Sequence, residues 1–157
     1  MNSSSPSDRP SLPALPTLTE IRAAAARLAP VAVRTPLLEV PALSKRVGGR
    51  LLIKAEALQR TGSFKFRGAF NRISLIPAAD RPKGVVAFSS GNHAQGVACA
   101  AAMLGAPATI VMPSDAPAIK IENTKGYGAK VITYDRLNEN REAIGAKLAA
   151  ETGATLV

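Results

Sequence analysis

A lone cysteine, Cys99, leaves the chain unable to form an internal disulfide, and its alanine-rich apolar surroundings suit a buried, inert thiol. A lone histidine, His93, argues against a histidine-based metal site. It also argues against a serine-hydrolase triad, because Ser and His adjacent in sequence do not make one. Tryptophan is absent, and only 4 phenylalanines and 2 tyrosines are available for stacking on nucleic-acid bases. No apolar run approaches the roughly 20 residues that cross a bilayer, so no membrane span is expected. Acids are scarce: 11 Asp and Glu face 20 Lys and Arg, a net charge of +9. The bases are scattered singly or in pairs without forming a block, which disfavours nucleic acid as partner and favours a small anionic ligand. Residues 1–16, rich in Ser and Pro, lack the apolar core of a secretory signal and the arginine-rich pattern of a transit peptide. A disordered leader over 1–17 of a cytoplasmic protein is expected.

What is present reads as alternating helices and strands. Thr17-Leu18-Thr19-Glu20 has the capping-box form ahead of an alanine-rich run stopped by Pro30, predicting a helix over 18–29. An extended piece over 35–40 follows, then a helix over 41–47 with Pro41 in its first turn and Gly48-Gly49 at its end, then a strand within 50–58. A helix carrying Lys65 should reach residue 76, before Pro77. Beyond it, strands are predicted over 84–88, 108–112, 130–134 and 154–157, separated by helices over 92–104, 118–125 and 138–152. Such alternation makes βαβ units, hence an α/β fold with a parallel sheet doubly wound by helices. The polar stretch 73–83 reads as a linker between an amino-terminal portion over 18–78 and a small α/β domain over 79–157, meeting across a cleft. Because Thr155-Leu156-Val157 stops inside an apolar strand, the chain is expected to be a fragment of a longer protein.

Two stretches carry chemistry. In Thr61-Gly62-Ser63-Phe64-Lys65-Phe66-Arg67-Gly68-Ala69, Ser63 is the expected N-cap, which places Lys65 in the first helical turn, where the helix dipole disfavours the ammonium form. A neutral amine attacks carbonyls. Taken alone, a lysine at a helix start is an ordinary solvated charge; Phe64 and Phe66 on either side, with Gly62 and Gly68, suggest instead a bulky, flat ligand. The second stretch, Ser89-Ser90-Gly91-Asn92-His93-Ala94-Gln95-Gly96, falls at the carboxyl end of the first strand of the α/β unit, where ligands bind against helix N-termini. Its hydroxyls, glycine and amide suit a carboxylate or phosphate. Equally, Ser89 or Ser90 caps the helix and His93 is a satisfied polar residue in its first turn.

Together the two stretches resemble the pyridoxal-phosphate enzymes of the tryptophan-synthase-β-like fold, in the threonine/serine dehydratase and serine racemase branch. Thr35-Pro36-Leu37, Met112-Pro113 followed by Lys120, and Gly126-Tyr127-Gly128-Ala129 are similar to that branch as well. The resemblance implies pyridoxal 5'-phosphate as cofactor, Lys65 as the Schiff-base lysine and α-proton base, Phe64 beside the cofactor ring, and Asn92 donating to the cofactor's phenolic oxygen. Ser89, Ser90, Gly91, Asn92 and His93 would hold the substrate carboxylate. The implied activity is a PLP-dependent ammonia-lyase converting L-threonine or L-serine to a 2-oxo acid and ammonia. Ser90 as a second acid/base on the opposite face would allow serine racemisation, and 3-hydroxyaspartate dehydratase is a further alternative. The implied substrate partner is a small hydroxy amino acid, and the full-length protein is expected to be a homo-oligomer. A glycine-rich phosphate loop, a Ser or Thr for the pyridine nitrogen and the metal-binding carboxylates of racemase-like members lie beyond residue 157 in the family. The isolated chain is therefore expected to be a catalytically incomplete fragment, or a non-catalytic module.

Overall fold

A computed structural model describes residues 15–157; residues 1–14 of the expected leader lie outside the described residues. α1 (Leu18–Leu28) opens on the capping box read from the sequence, with the Thr17 hydroxyl accepting from Glu20 N and the Glu20 carboxylate accepting from Thr17 N. β1 (Leu37–Glu39) and β2 (Leu52–Lys54) form a small antiparallel sheet around α2 (Pro41–Val47). α2 ends at Gly48 in the left-handed conformation, φ 66°, which glycine adopts without a Cβ penalty. The strand expected within 50–58 is shorter than that range, because from Glu56 the chain winds into two 3₁₀ turns, Glu56–Leu58 and Arg60–Gly62. α3 (Lys65–Ser74) follows directly.

From residue 85 the chain builds the expected parallel sheet. β3 (Val85–Phe88), α4 (Asn92–Met103), β4 (Ala108–Pro113), α5 (Ala118–Gly126), β5 (Lys130–Tyr134), α6 (Arg141–Thr152) and β6 (Thr155–Leu156) alternate, and the strand order is β5-β4-β3-β6 with every pairing parallel. α6 begins at Arg141 rather than 138. The Asp135 carboxylate takes the Leu137 N–H and the Asn138 amide, turning the chain, and the Asn140 side chain then caps the helix by accepting from Ala143 N. β4 and β5 are added on one side of β3 and β6 on the other, so the winding reverses at β3. The loop that follows β3 therefore stands at the switch point of the sheet, where open α/β sheets bind ligands.

One apolar core runs through both parts of the chain. Phe66, Phe70 and Ile73 of α3 join Val97 and the alanines of α4, together with Val85, Ile110 and Met112 of the sheet. The small residues of α4 let it lie close to its neighbours. Gly96 is a point of close approach: a Cβ there would stand 3.1 Å from the Lys65 carbonyl carbon and 3.1 Å from the Phe66 nitrogen. Ala at this position would press on backbone rather than on a movable side chain, so α4 and the start of α3 are in direct main-chain contact.

Polar side chains anchor the other side of α3. The Arg67 guanidinium donates Nε to Glu56 Oε2 at 2.8 Å and Nη2 to Glu56 Oε1 at 2.7 Å, a bidentate pair, and also donates to the Val33 carbonyl. The Thr35 hydroxyl donates to Glu56 Oε1 at 2.6 Å, and buried Gln59 holds both the N–H and the carbonyl of Val33. Hydrogen bonding from Arg67 holds the Glu56 carboxyl down to about 2, against the opposing effect of burial. A folded-state value below the ordinary 4.5 means that the pair stabilises the fold fully above pH 4.5 and loses that contribution as pH falls toward about 2. Denaturant unfolding of the native protein across this window should show a steeper loss of stability for wild type than for Glu56→Gln; parallel pH profiles would refute the assignment.

Candidate active site

Lys65 is the first residue of α3, as its place in the first turn was expected to be, but the local capping differs from the expectation. Ser63 is extended (φ −162°, ψ 159°), and Phe64, in helical conformation, is the N-cap without a side-chain hydrogen bond. The Ser63 hydroxyl is buried and, among the described residues, has no hydrogen-bond partner. The residue before it but one, Thr61, is held at φ 62°, an uncommon conformation for a β-branched residue, which turns the chain sharply into the helix. Phe66 also departs from the expectation: it is fully buried in the core and does not face the site, whereas Phe64 is exposed and the Lys65 amine lies 5.1 Å from the centre of its ring. Among the described residues no carboxylate pairs with Lys65.

The second stretch forms the β3–α4 connection. Gly91 is the N-cap of α4 without a side-chain cap, so neither Ser89 nor Ser90 caps the helix. The Ser89 hydroxyl instead accepts from Gly91 N at 3.3 Å, and Ser90 is exposed. The first N–H groups of α4 are thus left for a ligand, at the positive end of a 12-residue helix. A Cβ built on Gly91 would meet nothing, so the space in front of the loop is open. Asn92 is exposed at the start of the helix, four residues before Gly96, on the turn that faces the beginning of α3. His93 is half-buried. Burial pushes its imidazole below the ordinary value and the Lys65 charge adds to this, while a Val157 backbone contact works the other way.

The fold therefore brings the two stretches together through the α3–α4 contact: the helix start that carries the Lys65 amine packs against the helix that opens on the Ser89–Gly91 loop and Asn92. Such a pair suits a ligand that carries both a carbonyl and an anionic group. One contact of a motif lysine and two arginines beside the site are not announced by the sequence. Lys120 Nζ donates to Asn92 Oδ1 at 2.8 Å, a contact that no spacing announces. Arg136 and Arg141 line a cavity of about 370 Å³ with Ser90, Tyr134 and Pro113, beyond the carboxyl ends of β4 and β5. Arg136 pairs with Asp115 and Arg141 with Glu142, and the Arg141 guanidinium lies 5.5 Å from the centre of the Phe88 ring. The mid-helix glycine at 96 was a visible sign of close approach, though not of what approaches.

Among the described residues no group of three or more His, Cys, Asp or Glu could hold a metal ion, and no helix is long and apolar enough to cross a membrane. Cys99 is buried, and burial pushes its thiol above the ordinary range, with Arg60 opposing.

Residues 28–157 match the family described as pyridoxal-phosphate dependent enzyme. The chain is 58% identical over 134 residues to an L-threo-3-hydroxyaspartate ammonia-lyase from Pseudomonas sp, covering 85% of this chain and 42% of the relative. It is 45% identical to an L-threonine ammonia-lyase from Thermotoga maritima, covering 90% of this chain and 35% of the relative. The solved structure of maize serine racemase superposes with a TM-score of 0.81 at 44% identity, over 89% of this chain and 43% of that one. The chain thus spans less than half the length of these proteins. The residues present fit the reactive part of the cofactor: among the described residues no carboxylate competes for the Lys65 amine that its aldehyde needs, and the exposed Asn92 amide is able to donate to an oxygen on its ring. Sequence, fold and site agree that the chain belongs to the pyridoxal-phosphate dependent enzymes.

Proposed function

We propose that the protein is an ammonia-lyase acting on β-hydroxy α-amino acids, and that its preferred substrate is 3-hydroxyaspartate. The observation that carries the lyase reading is the Lys65 amine, free of carboxylate partners, set against the N-terminus of α4 by the backbone contact at Gly96. When bound, pyridoxal phosphate supplies an aldehyde that takes up the substrate amine and a ring that accepts the electron pair left at Cα. The chain's own residues do the rest. Ser89, Gly91 and the first N–H groups of α4 bind the α-carboxylate, with His93 neutral beside them. Asn92 orients the cofactor through its phenolic oxygen and Phe64 flanks the ring. Lys65 Nζ takes the proton from Cα as the Cβ–O bond breaks. The β-hydroxyl takes up a proton and leaves as water, matching the proton lost from Cα; the enamine left behind moves a proton from nitrogen to Cβ to become an imine, and hydrolysis of that imine gives a 2-oxo acid and ammonia.

Two features bear on the substrate. The cavity beyond Ser90 carries Arg136 and Arg141, which suit a second carboxylate on Cβ better than the methyl group of threonine. Glu139 and Glu142 also line it, so its selectivity rests on guanidinium geometry rather than on net charge. Racemisation is a second reading, favoured by the exposed Ser90 hydroxyl beside the same loop, which is free to return a proton to the opposite face of Cα.

In the native protein, Lys65→Ala should abolish the visible absorbance band of the bound cofactor and cut turnover by about 10²–10⁴-fold; a protein that stays colourless with added cofactor before any substitution would sink the lyase reading. Arg141→Leu should lower kcat/KM for 3-hydroxyaspartate relative to serine by about tenfold, the size of one partly exposed charge-assisted hydrogen bond. An unchanged ratio would return the preference to the monocarboxylic substrates. For Ser90→Ala, racemisation should vanish while elimination of L-serine survives, and surviving racemisation would remove Ser90 from that role.

A further inference from the structure

α5 lays two polar side chains on the first turn of α4. Lys120 Nζ donates to Asn92 Oδ1 at 2.8 Å, and Asn123 Nδ2 donates to Gln95 Oε1 at 3.2 Å. Donors spaced by three residues on one helix meet acceptors spaced by three on the other, so the contact fixes the register of the two helices as well as the two amides. An ammonium has donors and no acceptor, so the Asn92 atom that faces it is the carbonyl oxygen. The Asn92 NH2 group then points away from α5. No carboxylate pairs with Lys120 among the described residues, and Asn92 is the partner its amine has. Its backbone is braced by fully buried Thr124, whose hydroxyl donates to the Lys120 carbonyl at 2.7 Å.

The orientation matters because an asparagine amide rotates about a broad, two-fold torsion and can offer either end to a ligand. Only the NH2 end can donate to an acceptor oxygen; the carbonyl end would repel it. We propose that Lys120 is a positioning residue: it holds Asn92 with its NH2 group toward the phenolic oxygen of the cofactor. The proposal rests on the reading of Asn92 as the cofactor's donor. Lys120 touches neither cofactor nor substrate, and its effect passes through Asn92 alone.

The test uses the native protein, stripped of cofactor and loaded, with the variants Lys120→Met, Lys120→Arg, Asn92→Ala and Asn92→Ala combined with Lys120→Met. In the stripped protein, the side-chain amide resonances of Asn92, identified by their loss in Asn92→Ala, should shift in Lys120→Met and return toward wild type in Lys120→Arg, which keeps a charged donor. In equilibrium dialysis against pyridoxal phosphate, Lys120→Met and Asn92→Ala should each weaken binding by about tenfold, and the double variant no further than Asn92→Ala. The visible circular dichroism of the bound cofactor should fall in the same variants and recover in Lys120→Arg. Unmoved Asn92 amide resonances in a folded Lys120→Met protein, or losses that add in the double variant, would overturn the role of Lys120 while leaving the lyase reading intact. Wild-type cofactor affinity and dichroism in Asn92→Ala would overturn the reading of Asn92 and this proposal with it.

Discussion

The main-chain contact between α4 and the first residues of α3 is the constraint on which the site depends. A Cβ at Gly96 would crowd the Lys65 carbonyl and the Phe66 amide at 3.1 Å, so the two helix starts are held at a distance set by backbone atoms rather than the distance that side chains would set. The residues of the candidate site are hung from that contact. Lys65 leaves one helix at its first residue, Asn92 leaves the other a turn before the glycine, and the loop from Ser89 to Gly91 feeds the second helix from the end of β3. The alanines that follow Gly96 in α4 extend the close packing into the core, and Phe66 fills it from the other side.

A backbone contact fixes distance but not direction, and the polar residues around α3 and α4 supply the direction. Glu56, Arg67, Thr35 and Gln59 tie the turns before Lys65 to the segment 31–35, with a bidentate pair and several backbone partners satisfied at once. These groups are only partly exposed, so they are less screened than a surface pair and cost more to leave unmatched. On the far side, Lys120 and Asn123 of α5 do the corresponding work for the side chains of α4. Lysine and arginine thus recur around the site as orienting groups, which gives part of the positive balance of the chain a local use. α1 has no buried residue, and Leu37 and Leu38 of β1 with Leu52 and Ile53 of β2 are exposed, so the apolar surface of the amino-terminal portion is much less enclosed than that of the sheet.

Much of the fold was legible because its signals are local. The capping box at Thr17, the prolines and glycines that bound α2, and the apolar strands separated by alanine-rich helices each announce an element, and their alternation dictates a parallel sheet. Boundaries moved where a side chain competed with the pattern. Asp135 and Asn140 postponed α6, and the 3₁₀ turns truncated β2. At the site the motifs were legible as residue types and the details were not. Serines commonly cap helices and Ser63 stands where a cap is expected, yet its hydroxyl is buried and unpartnered among the described residues. Phe66 adjoins Lys65 in sequence, but adjacent residues on a helix point about 100° apart, and that turn sends Phe66 into the core.

By itself, the sequence determined the α/β class, the elements and the family, since periodicity, caps and two motifs are properties of short stretches of chain. Only the tertiary structure decided how those stretches meet. The strand order that puts the Ser89–Gly91 loop at the switch of the sheet, the approach of Gly96 to Lys65, the arginines beyond Ser90 and the hydrogen bond from Lys120 to Asn92 all join residues far apart in sequence. The physical reason is that long-range neighbours are selected by packing of whole elements, through volumes and partner groups that no local pattern encodes.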